Sequence, residues 1–125
     1  GINPVTALTR LANGELLEVP EAWETAVAAV QEAWGVATAL GLKLQPEPVA
    51  RLRQVCQATA RNRSSMLQDI LAPRQTEIEA INGQIVVHGA RVGKPTPVNA
   101  TLARLIKALE FSLLALGQGK KTKPS

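Results

Sequence analysis

The chain has 125 residues, enough for one domain with a single real core. Its hydrophobic fraction is 46% while aromatic residues are only 2%, so the core is built from Ala, Leu, Val and Ile, the palette of packed helices. The formal charge of +4 includes Lys120, Lys121 and Lys123, which leaves the rest near +1; with few aromatics and no basic face, a nucleic-acid partner is not expected.

A single cysteine, Cys56, excludes an internal disulfide and suits a reducing compartment. No run approaches the roughly 18 apolar residues of a membrane span, and no charged-then-apolar leader precedes the first helix. The expectation is a cytoplasmic protein with no membrane partner. Because the chain begins at Gly1 in the middle of a helical pattern, it reads as a fragment.

Asn3 before Pro4 reads as a helix N-cap followed by proline at the first helical position, and Gly14 ends that segment or its loop. Asn13 before Gly14 is on local grounds a turn residue. Pro20 to Gly41 reads as a long helix in which Trp23, Val27, Val30, Trp34 and Ala37 form one stripe and Ala22, Ala26, Ala29 and Ala33 a second. The tryptophans are assigned to core or subunit packing. After the break at 45–48, Val49, Leu52, Val55 and Cys56 mark the buried face of the next helix, with Cys56 a small core residue.

Residues 62–83 contain two helix starts in series. Ser65 with Gln68 and Thr76 with Glu79 both fit the capping box, and Pro73 ends the first of these helices. This assignment leaves Ser64 and Glu77 as surplus polar groups at helix N-termini, which are candidate anion ligands. Beyond Thr76, a wheel at about 100° per residue puts Ile78, Ile81, Ile85 and Val92 on one stripe, with Glu77, Gln84 and His88 along its edge. Val86 and Val87 face away, which fits either a bundle centre or a dimer contact. His88 is the only histidine, so arrays needing Cys-His, Ser-His or several histidine ligands are nearly excluded, and no metal site is expected. The last helix opens at Thr96-Pro97 and runs to Leu116; residues 117–125 read as a mobile basic tail.

The run Ser64-Ser65-Met66-Leu67-Gln68-Asp69, with Arg74, Thr76-Glu77-Ile78 and Ile81-Asn82-Gly83, resembles the C-terminal domain of the ketopantoate reductases, or 2-dehydropantoate 2-reductases. Ile2-Asn3-Pro4, Asn13-Gly14-Glu15-Leu16 and Pro95-Thr96-Pro97-Val98-Asn99 match in the same order, so the likeness covers residues 2 to about 110. It implies an all-α helical bundle of the 6-phosphogluconate dehydrogenase C-terminal-like type, residues 1–116 forming a substrate-binding and dimerisation domain. It further implies that the residues at Asn3, Asn13 and Ser65 bind the keto acid, and that Glu77 contacts the nicotinamide of NADPH and is associated with the catalytic lysine.

That lysine would lie upstream of Gly1. No Gly-x-Gly-x-x-Gly follows a strand, so the N-terminal Rossmann half is absent from this chain and would be its partner in the whole enzyme. The resemblance thus implies an NADPH-dependent oxidoreductase that makes pantoate for pantothenate and coenzyme A synthesis, and a homodimer. The piece alone is expected to be catalytically silent. Two alternatives stay open: a related hydroxyacid dehydrogenase with another substrate, and a non-catalytic helical interaction module.

Overall fold

The computed structural model describes residues 2–122, and side chains as far as residue 115. Six α-helices follow one another: α1 (Ile2–Thr9), α2 (Pro20–Ala39), α3 (Pro48–Ala58), α4 (Ser65–Leu71), α5 (Gln84–Arg91) and α6 (Pro97–Thr122). A 3₁₀ turn spans Asn13–Glu18 and a π-helical turn, Glu79–Gly83, leads directly into α5. No strand occurs among the described residues, so the all-α expectation holds.

The short α1 is the hub. Pro4, Val5, Thr6 and Ala7 are all buried, so successive residues on every side of the helix meet other elements, which marks a helix enclosed by its neighbours. Val5 belongs to a core with Leu16, Ala22, Ala26, Ala29, Leu52, Cys56 and Leu102; Ala7 belongs to a second core with Met66, Ile70, Ile78 and Ile106. α6 contributes to both, through Leu102 and Ile106. The helix ends where Arg10 takes a left-handed conformation, φ 63°.

Several elements differ from the sequence expectation. Asn3 is not an N-cap: the helix already includes Ile2, and Asn3 sits in its first turn. On α2 the expected alanine stripe is buried at Ala22, Ala26 and Ala29, together with Val36; of the two tryptophans, assigned to core or subunit packing, Trp34 lies at the surface and outside the core, and Trp23 is half-buried beneath Arg53, 4.8 Å from its ring centre. Small side chains let the neighbouring backbones approach closely. On α3, Leu52 and Cys56 are buried as expected but Val55 is exposed. α6 continues past Gly117 to Thr122, since extending a formed helix adds a hydrogen bond per residue and a glycine weakens it by only about 1 kcal/mol. Residues 123–125 of the expected tail lie outside the described residues.

Candidate functional site

At the start of α4 two adjacent serines take different parts. Ser64 is the N-cap: its Oγ accepts a hydrogen bond from Leu67 N at 3.1 Å. The same oxygen lies 2.6 Å from Thr6 Oγ1 on α1. Because Thr6 donates to Ile2 O at 2.8 Å, its oxygen is left to accept the Ser64 proton. The expected capping box of Ser65 with Gln68 is therefore not formed; Gln68 instead donates to Arg63 O at 3.0 Å. The cap moves one residue back because only Ser64 can serve both the helix and the buried Thr6. Ser65, displaced from the role assigned to it, is exposed at the first helical position.

The second expected box is also replaced. Thr76 Oγ1 accepts from Ile78 N at 3.3 Å, while Glu79 reaches across to pair with Lys107 on α6. Thr76 N donates to the Glu110 carboxylate, again on α6. Tertiary partners on α6 thus take the groups that the local pattern assigned to a cap. Glu77 is left exposed just before the helix.

These two freed residues meet. A cavity of about 250 Å³ is lined by Ser65, Met66, Asp69, Glu77 and Ile81, with α4 on one wall and the π turn on the other. Asp69 is held in place by Arg74, whose guanidinium lies 3.2 Å from its carboxylate and whose backbone N–H donates to Asp69 O at 2.8 Å. Pro73 stops α4 and turns the chain back so that Glu77 faces the helix it has just left.

Asn3 and Asn13 do not line this cavity. Asn3 is half-buried on α1, one turn before Thr6. Asn13 is buried, its Nδ2 donating to Thr59 Oγ1 at 3.0 Å while its Oδ1 has no partner among the described residues. Asn13 is nonetheless tied to the strip leading into α4. Asn13 N donates to Asn62 O and Gly14 N to Ala60 O, both at 3.0 Å. A side chain at position 14 would place its Cβ 2.6 Å from the Ala60 Cβ, so only glycine permits this backbone contact. Residues 59–65 therefore hold Asn13 on one side, α1 on the other, and present Ser65 to the cavity.

The sequence reading missed a buried polar seam behind the cavity. Glu32 on α2 caps α6, its two carboxylate oxygens accepting from Val98 N and Asn99 N at 2.9 Å each. Asn99 Nδ2 donates to Ala29 O at 2.9 Å and to Glu32 Oε1 at 2.8 Å; Asn99 Oδ1 accepts from Asn82 Nδ2 at 2.8 Å. Asn99 stands in the first turn after Pro97, a position that suggested only a helix start, and Glu32 carries no local signal at all.

Compared with known proteins, residues 1–110 match the family described as ketopantoate reductase PanE/ApbA, C terminal. This chain belongs to that family. The 2-dehydropantoate 2-reductase of Pyrobaculum aerophilum is 45% identical over 109 residues, 87% of this chain and 39% of its own length; that of Bacillus subtilis is 40% identical over 87% of this chain and 36% of its own. Among solved structures, a PanE/ApbA family ketopantoate reductase from Ralstonia eutropha superposes with a TM-score of 0.83 at 29% identity, covering 90% of this chain and 38% of that one. A D-mandelate dehydrogenase in a ternary structure with NADH and anilino(oxo)acetate superposes with a TM-score of 0.82, also at 29% identity, over 90% of this chain and 48% of that one. The chain spans about two fifths of the length of the curated relatives it matches. Among the described residues of this ketopantoate reductase domain, no helix is long and apolar enough to cross a membrane and no cluster of side chains could hold a metal ion.

Proposed function

We propose that this domain supplies the substrate-binding half of an NADPH-dependent 2-dehydropantoate 2-reductase acting in the cytoplasm, with the N-terminal Rossmann domain as its partner. The observation that carries the reading is the shared cavity of Ser65 and Glu77: the two residues that the helix starts leave over come together in one polar recess. Reduction of a keto acid places hydride on carbon and a proton on oxygen. Residues of this chain hold the substrate still for both transfers, a gain in effective concentration rather than a covalent step.

In this reading Ser65 hydrogen-bonds the keto acid at the cavity wall. Asn3 and Asn13, the further substrate ligands of this reading, stand outside that recess, Asn13 with a buried Oδ1 that has no partner among the described residues. Glu77, exposed at the cavity's edge, is suited to meet groups brought by another domain, both the ammonium of the proton-donating lysine and the nicotinamide end of the cofactor. NADPH when bound supplies the hydride. The chain has no glycine-rich phosphate cradle, so Glu77 is its contribution to cofactor contact and the rest falls to the partner domain. The isolated domain is accordingly inactive.

The D-mandelate dehydrogenase likeness, equal in identity to the reductase likeness, favours a second reading in which the same fold takes a bulkier 2-oxo acid. Steady-state assay of the full-length protein separates them. The expected result is a kcat/KM for 2-dehydropantoate at least tenfold above that for the oxo acid corresponding to D-mandelate. The reverse order favours the second reading, and activity on neither leaves an interaction module.

Homodimer formation is part of the proposal. It is supported by the exposed Trp34, Leu44 and Val55, which line a groove between α2 and α3. A relative from Staphylococcus aureus is described as a dimeric ketopantoate reductase. Sedimentation of the full-length protein decides the point.

A further inference from the structure

The helix that follows Glu77 is not uniform. Between Glu79 and Gly83 it opens into a π turn, flanked by ordinary right-handed helical geometry at Ile78 (φ −55°, ψ −38°) and Gln84 (φ −69°, ψ −35°). Such a turn carries an extra residue, and it persists only where its surroundings hold it. In the fourth position of this turn, Asn82 is fully buried. Its partner leaves no doubt about its orientation: Asn99 has committed its amide nitrogen to Ala29 O and Glu32 Oε1, so its oxygen faces Asn82, which must present Nδ2. A chain of hydrogen bonds thus runs from the π turn through α6 to α2.

The same turn forms a wall of the cavity. Ile81, beside Asn82, lines it directly, and Glu77 lines it from just ahead of the turn. Relaxation to a plain α-helix would remove the extra residue. Everything on the N-terminal side would then rotate against α5 by about 100° and shift by about 1.5 Å. Ile78 would be pulled from the core it shares with Met66, Ile70 and Ile106, and Glu77 would leave the recess. Ile78 opposes that rotation only by apolar packing, which has no preferred direction. Asn82 opposes it with a directed bond.

We propose that Asn82 is a positioning residue for the cavity: its bond to Asn99 holds the π turn in the register that keeps Ile81 and Glu77 opposite Ser65. Asn82 does not itself line the cavity. The inference rests on the reading of that cavity as the keto-acid site.

The test uses the full-length protein carrying Asn82→Leu, which keeps the bulk and removes the bond. Expected are a fall of tenfold or more in kcat/KM for 2-dehydropantoate, carried mainly by kcat, with the KM for NADPH within twofold of the parent. Amide hydrogen exchange at residues 79–83 should also quicken at least tenfold, while α3 stays unchanged. A variant that melts earlier yet keeps the parental kcat/KM and the parental exchange pattern overturns the proposal. Should the leucine variant not accumulate, Asn82→Ser, which is too short to reach Asn99, is judged on the same two readings. If the parent itself does not reduce 2-dehydropantoate, the functional reading falls on that result, and exchange at 79–83 still decides whether Asn82 holds the turn: quickened exchange supports it and unchanged exchange refutes it.

Discussion

The seam behind the π turn and the cavity in front of it are both polar, and they use polarity in opposite ways. In the seam, the Glu32 carboxylate receives two backbone N–H groups and the Asn99 amide, and Asn99 and Asn82 are shut away from water. In the cavity, Ser65 and Glu77 are exposed, and local groups that could have claimed them bind elsewhere. Buried polar groups without partners are costly, and inside the seam both polar atoms of the Asn99 amide and the Asn82 amide nitrogen are paired, while Asn82 Oδ1 has no partner among the described residues. Those at the rim are left free for something that arrives from outside.

The sharpest way to break that contrast, under the proposed function, is Glu77→Ala in the full-length protein. Turnover should fall on the order of 10²-fold, because a group that orients the reacting partners acts most strongly at the transition state. Stability should drop by no more than about 1 kcal/mol, the scale of an acid near a helix N-terminus. Steady-state kinetics paired with melting curves read both. A variant that melts early but turns over normally would return Glu77 to a helix-end role.

On the seam side, Glu32→Ala removes the cap of α6 and strands the Asn99 donors, and it should destabilise the protein by about 2 to 3 kcal/mol. Urea denaturation measures this; a loss below about 0.5 kcal/mol would mean that water replaces the carboxylate, and the seam would not be the closed region described here.

The two adjacent serines carry the contrast into neighbouring residues. Ser64→Ala should cost about 0.5 to 2 kcal/mol, since it removes the cap on Leu67 N and the bond to Thr6. Ser65→Ala should stay within about 0.5 kcal/mol of the parent and, under the proposed function, raise the KM for 2-dehydropantoate with little change in kcat, because a bond to substrate would exist before hydride transfer as well as during it. Equal stability losses from the two would erase the distinction.

The smallest effect concerns Cys56. Burial pushes its thiol pKa up, against a smaller opposing pull from Arg53. A thiol ionises in the unfolded chain first, so its contribution to stability is complete below the ordinary thiol range and is lost as pH rises through that range towards the raised folded value. Denaturation midpoints should slide downward above about pH 9, and Cys56→Ala should remove that part of the slope. The native thiol should also react slowly with thiol reagents.

Much of the fold could be read locally. Pro20 and Pro97 mark the starts of α2 and α6, and Pro73 marks the stop after α4, because proline fixes φ and lacks a donor wherever it stands. What escaped the sequence reading was set by distant contacts. Asn-Arg-Ser-Ser admits a cap at either serine, and Thr6, 58 residues away, decides for Ser64. The wheel at 100° per residue assumed a uniform helix, so it could not register the π turn or place Asn82 in the interior. The alanine stripe of α2 was legible, since small side chains at a helical spacing allow close approach, and Ala22, Ala26 and Ala29 are buried. Of the four residues named by resemblance, Ser65 and Glu77 line one cavity and Asn3 and Asn13 do not line it.

Glu32 and the start of α6 are 66 and 67 residues apart in the chain, which bears on the order of assembly. α4 carries its own cap in Ser64 and can begin to form before a distant partner is present. The first turn of α6 borrows its cap from α2, so it gains that stabilisation only after a long loop has closed, and loop closure is what slows contacts of high sequence separation. The C-terminal stretch of α6 is free of this requirement. Formation of the longest helix would therefore proceed backwards, with its opening turn among the last pieces to settle, and the docking of α2 would be the step that completes it.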